Sequence, residues 1–265
     1  MVQHALTSHS PDAESGYRIA QSLWDSYRAL GIEFSKRRLL DFGCSWGYFC
    51  ALALQRGCSQ VVGVDIRAHW LSREDAIDLD SPDLRLYEGN ILDISDLQAA
   101  TFDLIVSSGT LFLLDSEYLD QVLRWFFKRL VPGGEAAFRT RCITAKSYND
   151  LGSRLNVPGA QLLFSRRMID QVLNGKGVAA PKFHVPYTGA TWIMACRCAG
   201  FEVVDVRRHG NRDVVGFASQ HPQKLQWIDP LEVATGEITV RLKKPLETRD
   251  LSTLRRGEAQ TSERS

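Results

Sequence analysis

The stretch that decides the fold runs from Arg38 to Asp65 and reads RLLDFGCSWGYFCALALQRGCSQVVGVD. A short apolar run leads into Asp41, a turn of small residues follows, and a helical pattern then leads to a second apolar run that closes on Asp65. Continuous apolar runs are typical of buried parallel strands, and a glycine such as Gly57 commonly ends the helix between them. The stretch therefore predicts a strand–helix–strand unit.

The turn after the first strand has small residues at Gly43, Ser45 and Gly47. Such residues let a ligand approach the backbone closely. A dinucleotide-binding turn has the spacing G-x-G-x-x-G, whereas this turn reads G-x-S-x-G with Asp41 just ahead. Because a carboxylate repels a pyrophosphate, the turn favours a cationic or hydrogen-bond-donating ligand over a nicotinamide dinucleotide.

This turn resembles motif I of the class I S-adenosylmethionine-dependent methyltransferases, D/E-x-G-x-G-x-G, with Ser45 in place of the middle glycine. The resemblance implies that Asp41, Gly43, Ser45 and Gly47 bind S-adenosylmethionine and that Asp65 binds its ribose hydroxyls. The serine is a departure from the motif. If the backbone there needs a positive φ, the turn would be strained and cofactor affinity would fall.

Residues after the second and third predicted strands extend the implied cofactor site. Asn90 follows the predicted strand at 84–87, where the family has a polar residue that hydrogen-bonds the adenine amine. The resemblance implies that Asn90 has this role, that Ile91 packs against the adenine ring, and that Ile66 contacts the cofactor next to Asp65.

Two later segments match the family in the expected order. The run at 101–106 resembles motif IV, whose strand end passes under the reactive methyl group, and the resemblance adds Ser107 to the cofactor site. The tetrapeptide Val-Pro-Gly-Gly at 131–134 resembles the turn before the fifth strand. Agreement of several motifs in order and spacing favours the family more strongly than one glycine-rich turn does.

Composition restricts the kind of protein. Hydrophobic residues make up 44% of the 265 residues and charged residues 24%, which is typical of a globular chain. A net charge of +1 disfavours nucleic acid as a partner. No apolar run approaches the roughly 18 residues of a membrane span, and the six cysteines lack the spacing of a zinc site. We expect a cytoplasmic protein without a metal or a membrane partner.

The order of predicted elements indicates one α/β domain at 15–244. We expect a Rossmann-like, seven-stranded, mostly parallel sheet with helices on both faces and an antiparallel last strand. Residues 1–14 are polar and predict a flexible start, and 245–265 predict a disordered tail. Glycines and prolines interrupt 142–186, which we interpret as an insertion that caps the acceptor site.

Methyl transfer from a sulfonium is an in-line displacement that depends mainly on alignment of acceptor and donor. An oxygen or nitrogen acceptor still loses a proton, which a histidine of near-neutral pKa can accept. The candidates are His184, His209, Tyr148 and Arg141. His184 has the best context because it lies in the predicted cap, so we expect it to be the catalytic residue.

The sequence thus predicts an S-adenosylmethionine-dependent methyltransferase of a small-molecule acceptor, with oxygen favoured over nitrogen or carbon. Two alternatives stay open. One is a non-catalytic cofactor-binding partner protein with the same fold, motivated by Ser45 and the lack of an obvious base. The other is an RNA methyltransferase, for which six arginines would have to share a face: Arg37, Arg38, Arg166, Arg167, Arg207 and Arg208.

Overall fold

The computed structural model describes residues 13–72, 81–142, 187–210 and 229–246. The strands in these ranges are β1 (Arg38–Phe42), β2 (Gln60–Asp65), β3 (Leu84–Glu88), β4 (Phe102–Ser108), β5 (Leu130–Arg141), β6 (Glu202–Gly210) and β7 (Thr235–Lys243). The α-helices are α1 (Ala13–Ala29), α2 (Tyr48–Gln55), α3 (Ser116–Arg129), α4 (Gly189–Cys198) and α5 (Pro230–Ala234). Short 3₁₀ helices span His69–Ser72, Ser95–Leu97 and Leu111–Leu113.

The seven strands form one sheet in the order β3-β2-β1-β4-β5-β7-β6. β7 runs antiparallel to β5 and β6, and the pairs among β1 to β5 are parallel. The predicted Rossmann-like sheet with an antiparallel last strand is therefore confirmed. The strand order reverses between β1 and β4, and open sheets of this kind bind ligands in the crevice beyond the carboxyl ends at such a point.

Helices cover both faces of the sheet. Leu39 and Leu40 are adjacent in β1, and each is fully buried in a different apolar cluster. Consecutive side chains of a strand point to opposite faces, so each cluster lies on its own face. α1 and α2 contribute to the cluster around Leu39, and α3 and α4 to the one around Leu40. Burial on both faces explains the continuous apolar runs.

A glycine and a threonine set the ends of two helices. After α1, Gly31 has a φ of 80°, and its N–H donates to the carbonyl of Arg28 at 2.9 Å. The side chain of Thr188 accepts a hydrogen bond from the N–H of Thr191 and caps the start of α4. The caps satisfy backbone groups that a helix end would otherwise leave unpaired.

The tetrapeptide at 131–134 differs from its prediction as a turn, because it lies within β5, which already begins at Leu130. The N–H of Gly133 donates to the carbonyl of Lys244 at 3.0 Å, and the N–H of Lys244 donates to the carbonyl of Gly134 at 2.8 Å. These bonds extend the sheet through a segment where a φ of 76° at Gly133 bends the chain. Tertiary pairing with the end of β7 thus overrides the turn signal.

Several predictions concern parts of the chain outside the described residues. They are the flexible start up to residue 12, the tail from 247, and the cap apart from Cys142. His184, Tyr148, Arg166 and Arg167 also lie outside. All of these stay predictions.

A buried carboxylate holds three parts of the fold together. Glu135 in β5 is 5% exposed, and its Oε2 accepts from Nη1 of Arg37 at 2.7 Å. Its Oε1 accepts from Nε of Arg241 in β7 at 2.7 Å. Arg241 also donates to the carbonyl of Leu30, just after α1, at 3.1 Å. One carboxylate thus links β5, β7 and the segment that enters β1.

We expect Glu135→Ala to lower the free energy of unfolding by about 3 kcal/mol, because it leaves two partly buried guanidiniums without their counter-ion. The control is Asp120→Ala, which removes an exposed helical ion pair with Arg124 and should cost less than about 0.5 kcal/mol. Urea denaturation measures both. Equal effects of the two variants would show that the Glu135 cluster does not stabilise the fold.

Candidate functional site

A cavity of about 360 Å³ opens at the edge of the sheet where the parallel strands end. Its walls come from α1, from the turn and helix after β1, and from the ends of β4, β5 and β7. Because β7 is antiparallel, its amino end lies at this edge with the carboxyl ends of its neighbours. The lining residues include Asp41, Gly43, Ser45, Tyr48, Ser108, Arg139, Thr140, Arg141 and Glu237.

The turn after β1 has positive φ angles at each of its three small residues: 81° at Gly43, 51° at Ser45 and 74° at Gly47. Gly43 is also required sterically, since a Cβ atom there would lie 1.8 Å from Oγ1 of Thr110. The N–H of Gly43 donates to the carbonyl of Val64 at 2.7 Å, which fixes the turn to β2. This close packing explains the small residues that the sequence shows here.

Ser45, which stands where the motif has glycine, adopts the left-handed conformation that glycine favours. For an L-residue this conformation costs about 1–2 kcal/mol relative to glycine. The conformation aims the Ser45 N–H at Oδ2 of Asp65, which accepts it at 2.9 Å, while Oδ1 of Asp65 accepts from the N–H of Arg67 at 3.3 Å. The turn is therefore formed in spite of the serine, and it holds the carboxylate at the end of β2.

Asp41 lies beneath the turn and is 6% exposed. Burial raises the pKa of its carboxyl group to about 7, the hydrogen bond from Cys50 opposes the rise, and the nearby charge of Asp65 adds to it. The Sγ atom of Cys50 lies 3.4 Å from Oδ2 of Asp41. A carboxyl group with this pKa is poised to ionise when a cation enters the cavity, because a nearby positive charge favours the ionised form.

Asn90 is held firmly by its neighbours. Its Oδ1 accepts from the N–H of Leu92 at 2.9 Å and from the hydroxyl of Tyr118. Since a backbone N–H needs an acceptor, the contact with Leu92 also fixes which end of the amide is oxygen. The group that Asn90 can offer to a ligand is therefore its N–H₂, a donor.

Ser107 and Ile91 face the protein interior. Ser107 is fully buried, and its hydroxyl donates to the carbonyl of Phe42 at 2.9 Å, while its own carbonyl accepts from the hydroxyl of Tyr27 at 3.0 Å. Ile91 is likewise fully buried in an apolar cluster, whereas Ile66 is 68% exposed. The neighbour of Ser107 in the chain, Ser108, lines the cavity instead.

The structure thus brings together part of the predicted cofactor site. Asp41, Gly43 and Ser45 line the cavity, and Asp65 joins them through its hydrogen bond to Ser45. Gly47, Ile66, Asn90, Ile91 and Ser107 are not among the residues that line it. His209, a weaker candidate base, lies outside it too, with Nε2 2.9 Å from Oγ1 of Thr239. Burial lowers the pKa of this histidine.

Arg139 and Glu237 also line the cavity, and no motif in the sequence points to either residue. Arg139 and Arg141 are two positions apart on β5, so their side chains share a face of the sheet. Glu237 pairs with Arg141 in the antiparallel register of β5 and β7. Such a pairing requires the strand register, and the sequence pattern alone does not supply it.

The comparisons with known proteins agree with this geometry. A family model described as a methyltransferase domain matches residues 39–134, the span from β1 into β5 that contains the turn and Asp65. The match identifies this span as a methyltransferase domain. No curated protein matches the sequence.

Solved structures share the fold of this methyltransferase at low sequence identity. An S-adenosylmethionine-dependent methyltransferase from Mesorhizobium loti is 19% identical, with 83% of this chain and 96% of that one covered and a TM-score of 0.52. The N-methyltransferase NodS from Bradyrhizobium japonicum WM9, in complex with S-adenosyl-L-homocysteine, is 16% identical, with 86% of each chain covered and a TM-score of 0.50. A 1,6-didemethyltoxoflavin-N1-methyltransferase from Burkholderia thailandensis is 13% identical, with 88% and 80% covered and a TM-score of 0.50.

Two other kinds of site are not found in the described part of the methyltransferase. None of its helices there has the length and hydropathy of a membrane span. Within the same ranges, no group of three or more histidine, cysteine, aspartate or glutamate side chains is placed to hold a metal ion.

We expect Ser45→Gly to leave the affinity for S-adenosylhomocysteine unchanged or to raise it, since glycine adopts a φ of 51° without strain. Calorimetric titration of the product measures this affinity. A clear loss would mean that the serine hydroxyl itself contacts the cofactor.

The raised pKa of Asp41 predicts a pH-dependent stability of the cofactor-free protein. An unfolded aspartic acid ionises near pH 4, whereas Asp41 keeps its proton up to about pH 7. Its contribution to stability is therefore complete below about pH 4 and is lost as the pH rises through about 7.

Asp41→Asn cannot ionise, so its stability relative to wild type should increase between pH 4 and 7 and level off above, by up to about 4 kcal/mol. Thermal denaturation of both proteins across this range measures the difference. A difference that does not vary with pH would mean that Asp41 is already ionised in the folded protein.

Proposed function

We propose that this methyltransferase transfers the methyl group of S-adenosylmethionine to a small-molecule acceptor, with oxygen as the favoured methylated atom. The observation that carries the proposal is the cavity of about 360 Å³ directly beside the positive-φ turn. Small-molecule sites span about 300–1,000 Å³. Since the methionine end of the cofactor must share this space, the room left suits a small acceptor.

The residues around the turn fit the cofactor chemically. A carboxylate has about four acceptor positions, and Asp65 uses one on each oxygen for backbone N–H groups. The remaining positions can accept the two ribose hydroxyls. Asp41 lies where the cofactor's positively charged methionine end would enter, and the lack of a side chain at Gly43 leaves the backbone accessible from the cavity.

We also propose a changed role for Asn90. Both acceptor positions of its Oδ1 are already used by Leu92 and Tyr118. Asn90 would therefore donate its N–H₂ to a ring nitrogen of adenine, and would not accept from the adenine amine as the family resemblance implies. Ile66 is exposed beside Asp65 and remains available to contact the cofactor.

When bound, the cofactor supplies an electrophilic methyl group on a sulfonium. The chain's own contribution is to align the acceptor, which can lower the barrier by up to about 7–11 kcal/mol in well-oriented systems. Ala20, Leu23 and Phe49 give the cavity an apolar wall. Arg139 and Arg141 favour a deprotonated oxygen acceptor and disfavour a protonated amine, because they stabilise negative charge and repel positive charge.

The structure offers little support for an RNA substrate. Each of the four described arginines that this alternative requires lies near a carboxylate: Arg37 with Glu135 at 2.7 Å, Arg38 with Asp103 at 3.0 Å, Arg207 with Asp205 at 3.9 Å and Arg208 with Glu232 at 2.9 Å. Arg37 and Arg38 also lie at the start of β1, at the edge of the sheet opposite the cavity. They do not extend the cavity into a basic surface.

The alternative of a non-catalytic protein was motivated by Ser45, because a serine at this position could disturb the turn. The hydrogen bond from the Ser45 N–H to Asp65 weakens this argument, since the turn forms with the serine in place. Turnover of radiolabelled methyl groups separates the two functions. Tight cofactor binding without turnover on any acceptor would favour the non-catalytic protein.

We expect calorimetry to show binding of S-adenosylmethionine and S-adenosylhomocysteine but not of NAD. Asp65→Ala should weaken S-adenosylhomocysteine binding by at least about tenfold, since hydrogen bonds to a charged group are each worth about 1.5–3 kcal/mol. The control is Asp120→Ala, on the outer surface of α3, which should bind like wild type. Unchanged affinity in Asp65→Ala would remove the proposed ribose contact.

A further inference from the structure

Two guanidinium groups in the cavity share one carboxylate. Nε and Nη2 of Arg139 donate to Oε2 of Glu237 at 3.3 and 3.2 Å. Nε of Arg141 lies 3.9 Å from Oε1 of Glu237, which is beyond hydrogen-bond distance. Glu237 therefore leaves the donors of Arg141 available to another acceptor.

The position of Arg141 is set by its surroundings. Its guanidinium carbon lies 4.8 Å from the centre of the Phe112 ring. Its backbone carbonyl accepts from Nε1 of the buried Trp192 at 3.0 Å. A planar guanidinium held against an aromatic ring binds carboxylates well, because little freedom is lost when the two parallel hydrogen bonds form.

The arginines lie toward the acceptor end of the site. β5 is separated from β1 by β4 alone, so at about 4.8 Å per strand Arg139 and Arg141 are roughly 10 Å from the turn. Asp65, the proposed ribose contact, lies in β2 on the other side of β1. A cofactor with its ribose on Asp65 and its methionine near Asp41 places its reactive end between the turn and β5.

The charges of the cavity also favour an anionic acceptor. Arg139 and Arg141 are balanced by Glu237 and an ionised Asp41. The cofactor then adds a net positive charge, because its sulfonium and ammonium outnumber its one carboxylate. A negative group on the acceptor would neutralise this excess.

We propose, on the basis of the proposed function, that the acceptor carries a carboxylate and that Arg141, assisted by Arg139, binds it. The same chemistry could hold the carboxylate of the cofactor itself. The two sources differ in which ligand loses affinity when Arg141 is replaced.

The test uses the full chain saturated with S-adenosylhomocysteine, with benzoate and its neutral counterpart benzamide as probes at constant ionic strength. Ligand-observed NMR measures their dissociation constants in wild type, Arg141→Gln and Arg139→Gln. Arg124→Gln is the matched control, because it removes an arginine that is ion-paired on the protein surface. A thermal shift with S-adenosylhomocysteine establishes that each variant is folded.

We expect benzoate to bind wild type at least about tenfold more tightly than benzamide. Arg141→Gln should reduce this preference to about twofold or less, Arg139→Gln should reduce it partly, and Arg124→Gln should preserve it. The affinity for S-adenosylhomocysteine should stay within about twofold in all variants.

Equal binding of benzoate and benzamide to wild type, or no binding of either, would overturn the carboxylate subsite alone. So would a tenfold loss of S-adenosylhomocysteine affinity in Arg141→Gln with an unchanged preference for benzoate, since the arginine would then hold the cofactor. Failure of wild type to bind S-adenosylhomocysteine at all would overturn the proposed function, and the subsite with it.

Discussion

The hydrogen bond from the Ser45 N–H to Asp65 is the contact on which the proposed site depends. It joins the turn after β1 to the end of β2, and it exists only because three residues of the turn adopt positive φ angles. A turn in the ordinary right-handed region would direct this N–H elsewhere and leave the carboxylate unsupported. The same turn forms one wall of the cavity. The backbone conformation of a few residues therefore positions both the proposed ribose contact and one wall of the cavity in which we propose that the methyl group is transferred.

The two ends of the cavity carry groups of opposite charge. Burial of Asp41 raises the pKa of its carboxyl group to about 7, so without a cation the group is close to half protonated at neutral pH. A bound sulfonium would favour ionisation of Asp41. At the end next to β5, Glu237 is the shared counter-ion of Arg139 and Arg141. The cavity therefore has acceptors for positive charge next to the turn and spare donors next to β5, an arrangement that suits a cationic methyl donor followed by an anionic acceptor.

The likeness to solved methyltransferases concerns the sheet and its helices and does not determine the acceptor. Identities of 13–19% establish a common architecture, and one architecture hosts many chemistries. The residues proposed to select the acceptor lie after the matched family span. They are Arg139 and Arg141 on β5 and Glu237 on β7. In the proposed function, acceptor choice therefore depends on the strand ends near β5, and loops at such ends can vary without disturbing a sheet.

The sequence by itself determined the sheet, and it predicted the turn and the carboxylate at the end of β2 that form the cofactor side of the proposed site. Apolar runs, helix-ending glycines and the spacing from Asp41 to Asp65 are local signals, because each depends on residues close together in the chain. Only the tertiary structure decided that the segment at 131–134 belongs to β5, that Ser107 and Ile91 face the interior, and that Asn90 is left as a donor. It alone also placed Glu237 beside Arg139 and Arg141, which are about 100 residues away in the chain. Such contacts depend on the register between strands that are distant in the chain and on the hydrogen-bond partners that buried groups meet there. A short stretch of sequence specifies neither.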